Sequence, residues 1–181
     1  MKKKLHFLWA LLVAMLLIPG QLKAQVLLEE NFDNATSVPT GWVVDGTAYS
    51  SYSEYRWQIG AYGWEGSKGL FFNTMYASSG LTAILKTPVV DLSSSSKDMM
   101  LTFYLNDTDE DEIKVYLSKD GGATYEGNLL LTCEKKSEWQ VVEISLAPYK
   151  NEKTVSIVWW GASSYGYSRP VIDNVTIAPL P

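Results

Sequence analysis

Residues 113–125, IKVYLSKDGGATY, carry the clearest local pattern in this chain. The first six alternate apolar with more polar side chains, which is the period of a half-buried β-strand. Asp120, Gly121 and Gly122 then turn the chain, because glycine adopts positive φ at no steric cost and an aspartate can bond its own backbone. A second extended segment follows and ends in the leucines at 129–131. The stretch therefore predicts a central β-hairpin with a tight, solvated turn.

Short strands separated by polar turns are predicted on both sides of this hairpin. No segment keeps the 3.6-residue period of a helix over several turns. Further strands are predicted at 26–32, 55–59, 69–73, 81–85, 89–92, 99–105, 138–146, 155–160 and 171–177. About ten strands of this length with regular turns predict an all-β protein, a β-sandwich of two sheets forming a single domain.

Residues 1–24 have the features of a secretory signal peptide. Three lysines at 2–4 precede an apolar run at 5–18, and Ala24 provides a small residue for cleavage. The run of about fourteen residues is shorter than the ~20 that a membrane-spanning helix needs, which disfavours a membrane anchor. We therefore predict that the mature chain, residues 25–181, is secreted and is extracellular or periplasmic.

The composition of the mature chain excludes several functions. Four lysines precede residue 25, so eleven basic residues remain against 20 acidic ones and the net charge is −9. Such a surface repels nucleic acid and anionic lipid. His6 is the only histidine and Cys133 the only cysteine, so no nucleophile–histidine pair, histidine zinc site or CxxC redox pair can form. A pair of carboxylates, as in glycosidases, stays open as a catalytic alternative.

A series of short motifs indicates a family. In chain order they are ENFD at 30–33, PTGW at 39–42, LKTPVVDL at 85–92, YLSKDGGAT at 116–124, Trp139, ISL at 144–146, Tyr149 and IDNV at 172–175. Their order and spacing resemble the cleaved-adhesin, or choice-of-anchor J, domains of the haemagglutinin regions of gingipains, which are similar to MAM domains. The resemblance implies a galactose-binding-like jelly-roll sandwich, extracellular adhesion or binding, and often a structural calcium ion. Such domains commonly precede a C-terminal anchoring segment, which is not predicted here because the chain ends just after its last strand.

The resemblance also suggests where calcium would bind. Glu30 and Asp33 end the first predicted strand, Asp173 lies in the last, and the terminal strands of a jelly roll often neighbour each other. These three carboxylates are the predicted calcium ligands, and ordinary surface and turn chemistry is the alternative. The acidic run at 106–112 also has hard oxygen ligands, but it lacks the glycine and glutamate positions of an EF-hand, and a solvated acidic turn is favoured.

Aromatic residues give the main indication of a binding surface. Trp42, Phe71, Phe103, Trp139 and one of Trp159 and Trp160 are expected in the core. Other rings lie in two loops, where they can stack on sugars or anchor a protein. The predicted ligand-binding residues are Tyr49, Tyr52, Tyr62, Trp64, Tyr165, Tyr167 and Arg169.

The sequence predicts a non-enzymatic binding or adhesion module whose ligand is a glycan or an extracellular protein. Two alternatives stay open, a carboxylate-based glycan-processing enzyme on the same fold and a structural subunit of a surface assembly.

Overall fold

The computed structural model describes residues 25–45, 55–106, 108, 110–165 and 168–180. Within these ranges the regular structure is eleven β-strands and three single turns of 3-10 helix, with no α-helix. The strands are β1 (Leu28–Glu30), β2 (Val43–Asp45), β3 (Trp57–Gly60), β4 (Gly69–Phe72), β5 (Thr82–Lys86), β6 (Met99–Asn106), β7 (Glu112–Ser118), β8 (Leu129–Thr132), β9 (Gln140–Ser145), β10 (Ser156–Ala162) and β11 (Val171–Pro179). The 3-10 turns are Trp64–Gly66, Leu92–Ser94 and Ala147–Tyr149.

The strands form two antiparallel sheets. Sheet A has the order β3-β4-β11-β6-β9, and β1 also pairs with β11. Sheet B has the order β2-β5-β10-β7-β8. The middle strands of the two sheet orders, β11 and β10, are separated in sequence by one loop that crosses between the sheets. This arrangement confirms the predicted all-β, two-sheet jelly-roll sandwich.

The hydrophobic core lies between the two sheets and follows from the alternation of each strand. Met99, Leu101, Phe103 and Leu105 of β6 are buried, whereas the residues between them are half-exposed. Fully burying a side chain of this size stabilises a fold by roughly 1.5–3 kcal/mol. Trp159 is fully buried and contacts the Phe103 ring edge-on at 5.3 Å between centroids. Core positions are thus confirmed for Trp42, Phe103 and Trp159.

Two local predictions near the middle of the chain are corrected. The segment 89–92 is not a strand, since only Val90 forms an isolated bridge, to Val155, and Leu92 begins a 3-10 turn. The Asp91 carboxylate caps this turn by accepting a 2.9 Å hydrogen bond from the Ser93 amide, which ends the extended backbone. Strand β2 was not predicted, because its three residues are too few to show a period.

The predicted hairpin is present, but its turn is not tight. Strands β7 and β8 pair, and the connection between them is residues 119–128, with β8 at the edge of sheet B. Both Gly121 (φ 70°) and Gly122 (φ 94°) have positive φ, as the sequence predicts. The Asp120 carboxylate accepts hydrogen bonds from the Ser118 hydroxyl (2.6 Å) and from the Thr124 amide (2.8 Å). These bonds favour the ionised carboxylate and hold the pKa of Asp120 below its ordinary value. They also order a connection that is longer than a two-residue turn.

The predicted signal peptide, residues 1–24, lies outside the described residues. Across the described ranges, no helix has both the length and the apolar character that crossing a membrane requires.

Candidate binding face and carboxylate site

The outer face of sheet A carries a cluster of aromatic side chains, which we call the aromatic platform. Phe71 in β4 and Tyr104 in β6 point outward because their strand neighbours Leu70, Phe72 and Leu105 point into the core. Trp139 precedes β9, and the connection between β3 and β4 folds over the same face. The platform consists of Tyr62, Trp64, Phe71, Tyr104 and Trp139.

The platform rings pack in two groups on the outer face of the sheet and not in the core. Trp64 meets Tyr104 edge-on at 5.1 Å and Trp139 edge-on at 5.5 Å between ring centroids. Tyr62 meets Phe71 edge-on at 4.9 Å. Tyr62 is 44% exposed and the other four rings are half-buried. The expectation that Phe71 and Trp139 belong to the core is therefore wrong, because both rings lie on the solvent side of sheet A.

Arg169 joins the platform to the loop that connects β10 and β11. Its guanidinium carbon lies 4.3 Å from the centre of the Tyr62 ring and 5.8 Å from that of Phe71. A cation over an aromatic face at this distance is attracted by the ring quadrupole. Gly60 lies under the same rings, where an added Cβ would come within 2.6 Å of the Phe71 ring. A glycine is required there for the rings to approach the backbone.

A recess of about 180 Å³ opens beside these rings. It is lined by Tyr62, Asn106, Ser137, Arg169 and Val171. The side-chain oxygen of Asn106 is buried and has no hydrogen-bond partner among the described residues. Buried polar atoms in folded proteins are normally paired, so an unpaired acceptor at the edge of a recess favours a ligand or water there. The recess therefore combines an apolar wall with a polar acceptor.

Asp173 fixes the loop that covers sheet A. This carboxylate is 1% exposed and lies on β11 beneath the loop of residues 61–68. It accepts hydrogen bonds from the Trp64 amide (2.8 Å), the Ser67 hydroxyl (3.0 Å) and the Asn174 amide (2.7 Å). Burial raises the pKa of Asp173 above its ordinary value, the hydrogen bonds oppose this shift, and the charge of Asp33 adds to it. The carboxylate thus places the Trp64 ring on the platform.

Strand β11 is irregular next to Asp173. The pairing of β11 with β6 shifts between Asp173 and Thr176. On the opposite edge of β11, β4 pairs before this point and β1 pairs after it. Three non-glycine residues with positive φ lie in the surrounding segments, Phe32 (57°), Glu65 (54°) and Asn174 (48°). Unfavourable backbone of this kind persists only where the surrounding structure fixes it.

The predicted calcium ligands lie around this irregularity. The Glu30 carboxylate accepts a 2.8 Å hydrogen bond from the Phe32 amide, and that of Asp33 accepts a 2.9 Å bond from the Asn31 side chain. Glu30 lines a recess of about 360 Å³ and Asp33 lines another of about 460 Å³, and both recesses share Asn174.

The carboxylates of Glu30 and Asp33 would provide oxygen ligands, the type that calcium prefers. In the described part of the chain, no three histidine, cysteine, aspartate or glutamate side chains form a group that could hold a metal. Calcium binding by Glu30, Asp33 and Asp173 therefore stays a prediction.

The acidic run is not simply a solvated turn. Asp107 and Asp109 lie outside the described residues, but Asp111 is fully buried. Its carboxylate accepts hydrogen bonds from the Ser164 amide (3.0 Å) and the Ser168 hydroxyl (2.7 Å). The favoured solvated turn is therefore wrong at Asp111, which fastens the loop between β10 and β11.

The structure brings together some of the predicted ligand-binding residues. Tyr62, Trp64 and Arg169 meet on the platform, whereas Tyr165 lies in the connection between β10 and β11 and is 70% exposed. Tyr49, Tyr52 and Tyr167 lie outside the described residues. The sequence reasoning missed Tyr104 and Asn106 as platform and recess residues. The alternation of β6, which places both on the face opposite the core, was the available signal.

Comparison with solved structures identifies proteins of the same architecture. The K3 cleaved adhesin domain of Lys-gingipain from Porphyromonas gingivalis W83 is similar, with a TM-score of 0.67 and 16% identity over 86% of this chain and 98% of that chain. This protein has the cleaved adhesin fold. The predicted resemblance is confirmed at the level of the fold, and the identity is too low to show more.

Glycan-binding proteins share this cleaved adhesin fold. TmCBM61, solved in complex with β-1,4-galactotriose, has a TM-score of 0.60 and 16% identity over 87% of this chain and all of that chain. The CBM22-1 xylan-binding domain of Paenibacillus barcinonensis Xyn10C has a TM-score of 0.53 and 14% identity over 86% of this chain and 95% of that chain. No protein-family model matches the chain, and no curated protein matches it.

Proposed function

We propose that this protein is a secreted, non-enzymatic module that binds glycan chains on the aromatic platform. The observation that carries the proposal is the position of five aromatic rings on the outer face of sheet A, outside the core, beside a recess with an unpaired Asn106 oxygen. Aromatic clusters that the core does not need are typical of binding surfaces.

The platform offers two complementary contacts to a sugar. Tyr62 presents its exposed ring for stacking against the apolar face of a pyranose, and the half-buried rings, which pack edge-on, add an uneven apolar surface on the same face of sheet A. The Asn106 oxygen accepts a hydrogen bond from a hydroxyl, and the Arg169 guanidinium donates to one. Stacking provides most of the contact area, and the polar groups select the orientation.

Two of the proteins with this fold support a glycan ligand. One was solved with β-1,4-galactotriose, and another is named as xylan-binding. Cleaved adhesin domains of Lys-gingipain share the fold as well, so an extracellular protein is the second candidate ligand. Export through the signal-peptide features of residues 1–24 and the net charge of −9 agree with a secreted or cell-surface location.

Calcium is proposed as a structural ion and not as part of the binding chemistry. Glu30 and Asp33 would provide carboxylate oxygens, and Asp173 would support the same region from beneath. A cation there would neutralise the charges of Asp33 and Asp173, which raise the free energy of the folded state by repulsion. It would thereby stabilise the loop that carries Trp64.

A binding screen tests the proposal. The mature protein is presented with β-1,4-galactan, xylan and immobilised extracellular-matrix proteins, with calcium and with a chelator, and released reducing ends are measured in parallel. The proposal predicts retention by a polysaccharide without release of reducing ends. Release of reducing ends would show a glycan-processing enzyme, and retention by proteins alone would favour the second ligand class. Failure to bind any of these, with stable association with other surface proteins, would favour a structural subunit.

A further inference from the structure

Four polar side chains form a row across the outer face of sheet A, beside the aromatic platform. Residues that lie directly opposite each other on neighbouring strands point to the same face of a sheet. The register places Thr176 of β11 between Glu29 of β1 and Thr102 of β6. Thr102 in turn lies opposite Glu143 of β9. We call these four residues the polar row, which spans about 14 Å because neighbouring strands are ~4.8 Å apart.

The polar row faces solvent and has groups available for a ligand. Both threonines alternate with buried core residues of β6 and β11, so their half-buried side chains lie on the outer face. The two glutamates at the ends of the row are exposed. Within the described residues, none of these four side chains has a hydrogen-bond or ion-pair partner. The row therefore presents hydroxyl and carboxylate groups that a ligand can pair with.

The polar row is continuous with the platform. On the outer side of β6, Thr102 is adjacent to Tyr104 and lies about 7 Å along the strand from it. The recess that Trp64 lines shares Asn174 with the recess of about 360 Å³ that Thr176 lines. A glycan chain that contacts the platform at Tyr104 can therefore continue across the row.

The strands of sheet A carry acidic side chains and no basic ones. Its six strands contain no lysine, arginine or histidine, but they contain four acidic residues: Glu29, Glu30, Glu143 and Asp173. On sheet B, by contrast, each acid in a strand is paired with a lysine, Asp45 with Lys86 and Glu112 with Lys114. The negative charge of sheet A is therefore not balanced by cations of its own strands.

The cation of the platform lies too far from the polar row to offset this charge. Arg169 lines a recess together with Asn106, and Asn106 lies four residues from Thr102 on β6, about 13 Å along the strand. This separation exceeds the Debye length of about 8 Å at physiological ionic strength. The two ends of the binding face thus differ in their electrostatic character.

We infer that the polar row selects uncharged polysaccharides and excludes acidic ones from the binding face. The inference rests on the proposed binding of glycan at the platform. Threonine hydroxyls donate and accept hydrogen bonds and carboxylates accept them, so the hydroxyls of a neutral sugar can pair with every group of the row. A uronate or sulfate group at the same place brings a like charge next to a glutamate, and such contacts are a common source of specificity.

The probes are pairs of polymers that differ in charge. β-1,4-Galactan and xylan are each substituted to the same degree with hydroxyethyl or with carboxymethyl groups. Dissociation constants are measured at pH 7 with the calcium concentration held constant. For the polysaccharide that the native protein binds, we expect the carboxymethyl derivative to bind at least tenfold more weakly than the hydroxyethyl derivative. This difference should fall as the salt concentration is raised, because salt screens exposed charges.

Two double variants locate the source of this selectivity. Glu29→Gln/Glu143→Gln keeps the shape of both side chains and removes their charge, so it should reduce the difference between the two derivatives at least threefold. The control, Glu112→Gln/Glu126→Gln, removes the same charge from β7 and from the β7–β8 connection. It should reduce the difference less than twofold.

A third variant tests contact with the polar row independently of charge. Thr102→Val/Thr176→Val replaces two hydroxyls by methyl groups of similar size and keeps the β-branched side chains that strands favour. We expect the melting temperature to be unchanged or higher and the binding of the unmodified polysaccharide to weaken about fivefold. Thr102→Ser/Thr176→Ser keeps the hydroxyls and should weaken binding less.

Three results would overturn the inference and leave the proposed function standing. They are equal binding of the two derivatives by the native protein, equal effects of the two glutamine variants, and unchanged affinity in a folded Thr102→Val/Thr176→Val. If the native protein binds neither unmodified polysaccharide, the proposed function fails and this inference fails with it.

Discussion

The backbone amide of Trp64 donates a 2.8 Å hydrogen bond to the carboxylate of Asp173, 109 positions later in the chain. The same carboxylate is almost fully buried in sheet A, while the Trp64 ring packs between Tyr104 and Trp139 on the outer face. A buried acid in the last strand thus determines where an aromatic ring of the proposed binding surface lies. Stability and binding are coupled at this point of the molecule.

Removal of the Asp173 carboxylate is expected to weaken both properties. Asp173→Ala leaves the amides of Trp64 and Asn174 without their acceptor, and each buried donor left unpaired costs about 1–3 kcal/mol. We expect a lower free energy of unfolding in urea and weaker glycan binding. Asp45→Ala is the control. The Asp45 side chain of the Asp45–Lys86 salt bridge is exposed, so this pair should contribute less than about 1 kcal/mol to the free energy of unfolding. Equal effects of the two substitutions would contradict the role given to Asp173.

The pH dependence of stability should separate two aspartates. The pKa of Asp173 is raised by burial, so its contribution is present below the ordinary value of 3.8 and is lost as pH rises through the folded pKa. The pKa of Asp120 is lowered, chiefly by the Ser118 and Thr124 side chains, so its contribution is present above 3.8 and is lost as pH falls. Stability is measured by urea unfolding between about pH 3 and 6. As pH falls, Asp120→Asn should lose less stability than the native protein does. As pH rises, Asp173→Asn should lose less stability than the native protein does. Identical pH profiles for the two variants would contradict the opposite pH dependences given to Asp173 and Asp120.

The β7–β8 connection allows a test of backbone conformation with a close control. Gly121 has φ 70°, and an added Cβ would meet Val89 at 3.2 Å. Gly121→Ala should therefore destabilise the fold by about 1–2 kcal/mol. Gly127 lies in the same connection, has no positive φ and would meet no atom within 4 Å, so Gly127→Ala should leave the melting temperature unchanged or higher. A smaller loss of stability in Gly121→Ala than in Gly127→Ala would contradict this description of the turn.

Alternation in the sequence was enough to predict the strands whose two faces differ in polarity. In β6 and β7 the buried apolar residues recur at every second position, which is what the period of a half-buried strand requires. In β4, by contrast, Leu70, Phe71 and Phe72 are all apolar, so the pattern contains no information about which ring faces outward. The sequence therefore predicts Phe71 in the core, whereas its ring lies on the outer face of sheet A.

Contacts between distant segments could not be predicted from local patterns. The hydrogen-bond donors of the buried Asp111 lie 53 and 57 positions later in the chain, and nothing in the acidic run itself distinguishes it from the other acidic residues. The platform could not be predicted for the same reason, since Trp64 and Arg169 reach it from two loops that are distant in sequence. The family resemblance placed Asp173 near the first strand, but its role in positioning Trp64 follows only from the three-dimensional structure.

Calcium removal tests the predicted ion. If calcium binds around Glu30 and Asp33, a hundredfold excess over the dissociation constant should add ~2.7 kcal/mol to the stability of the native state. Chelation should then lower the melting temperature of the native protein and leave that of Glu30→Gln/Asp33→Asn unchanged. An identical melting curve before and after exhaustive chelation would remove calcium from the account.

The most direct test of the aromatic platform compares two tryptophans on opposite outer faces. Trp139 contacts Trp64 on sheet A, whereas Trp160 lies on sheet B with Lys114 5.0 Å from its ring, and both are half-buried. The measurement is the dissociation constant of Trp139→Ala and of Trp160→Ala for the polysaccharide that the native protein binds. The platform predicts at least a tenfold loss for Trp139→Ala, equivalent to about 1.4 kcal/mol, and less than a twofold change for Trp160→Ala. Unchanged binding by a folded Trp139→Ala, or an equal loss in Trp160→Ala, would contradict the assignment of the binding surface to sheet A.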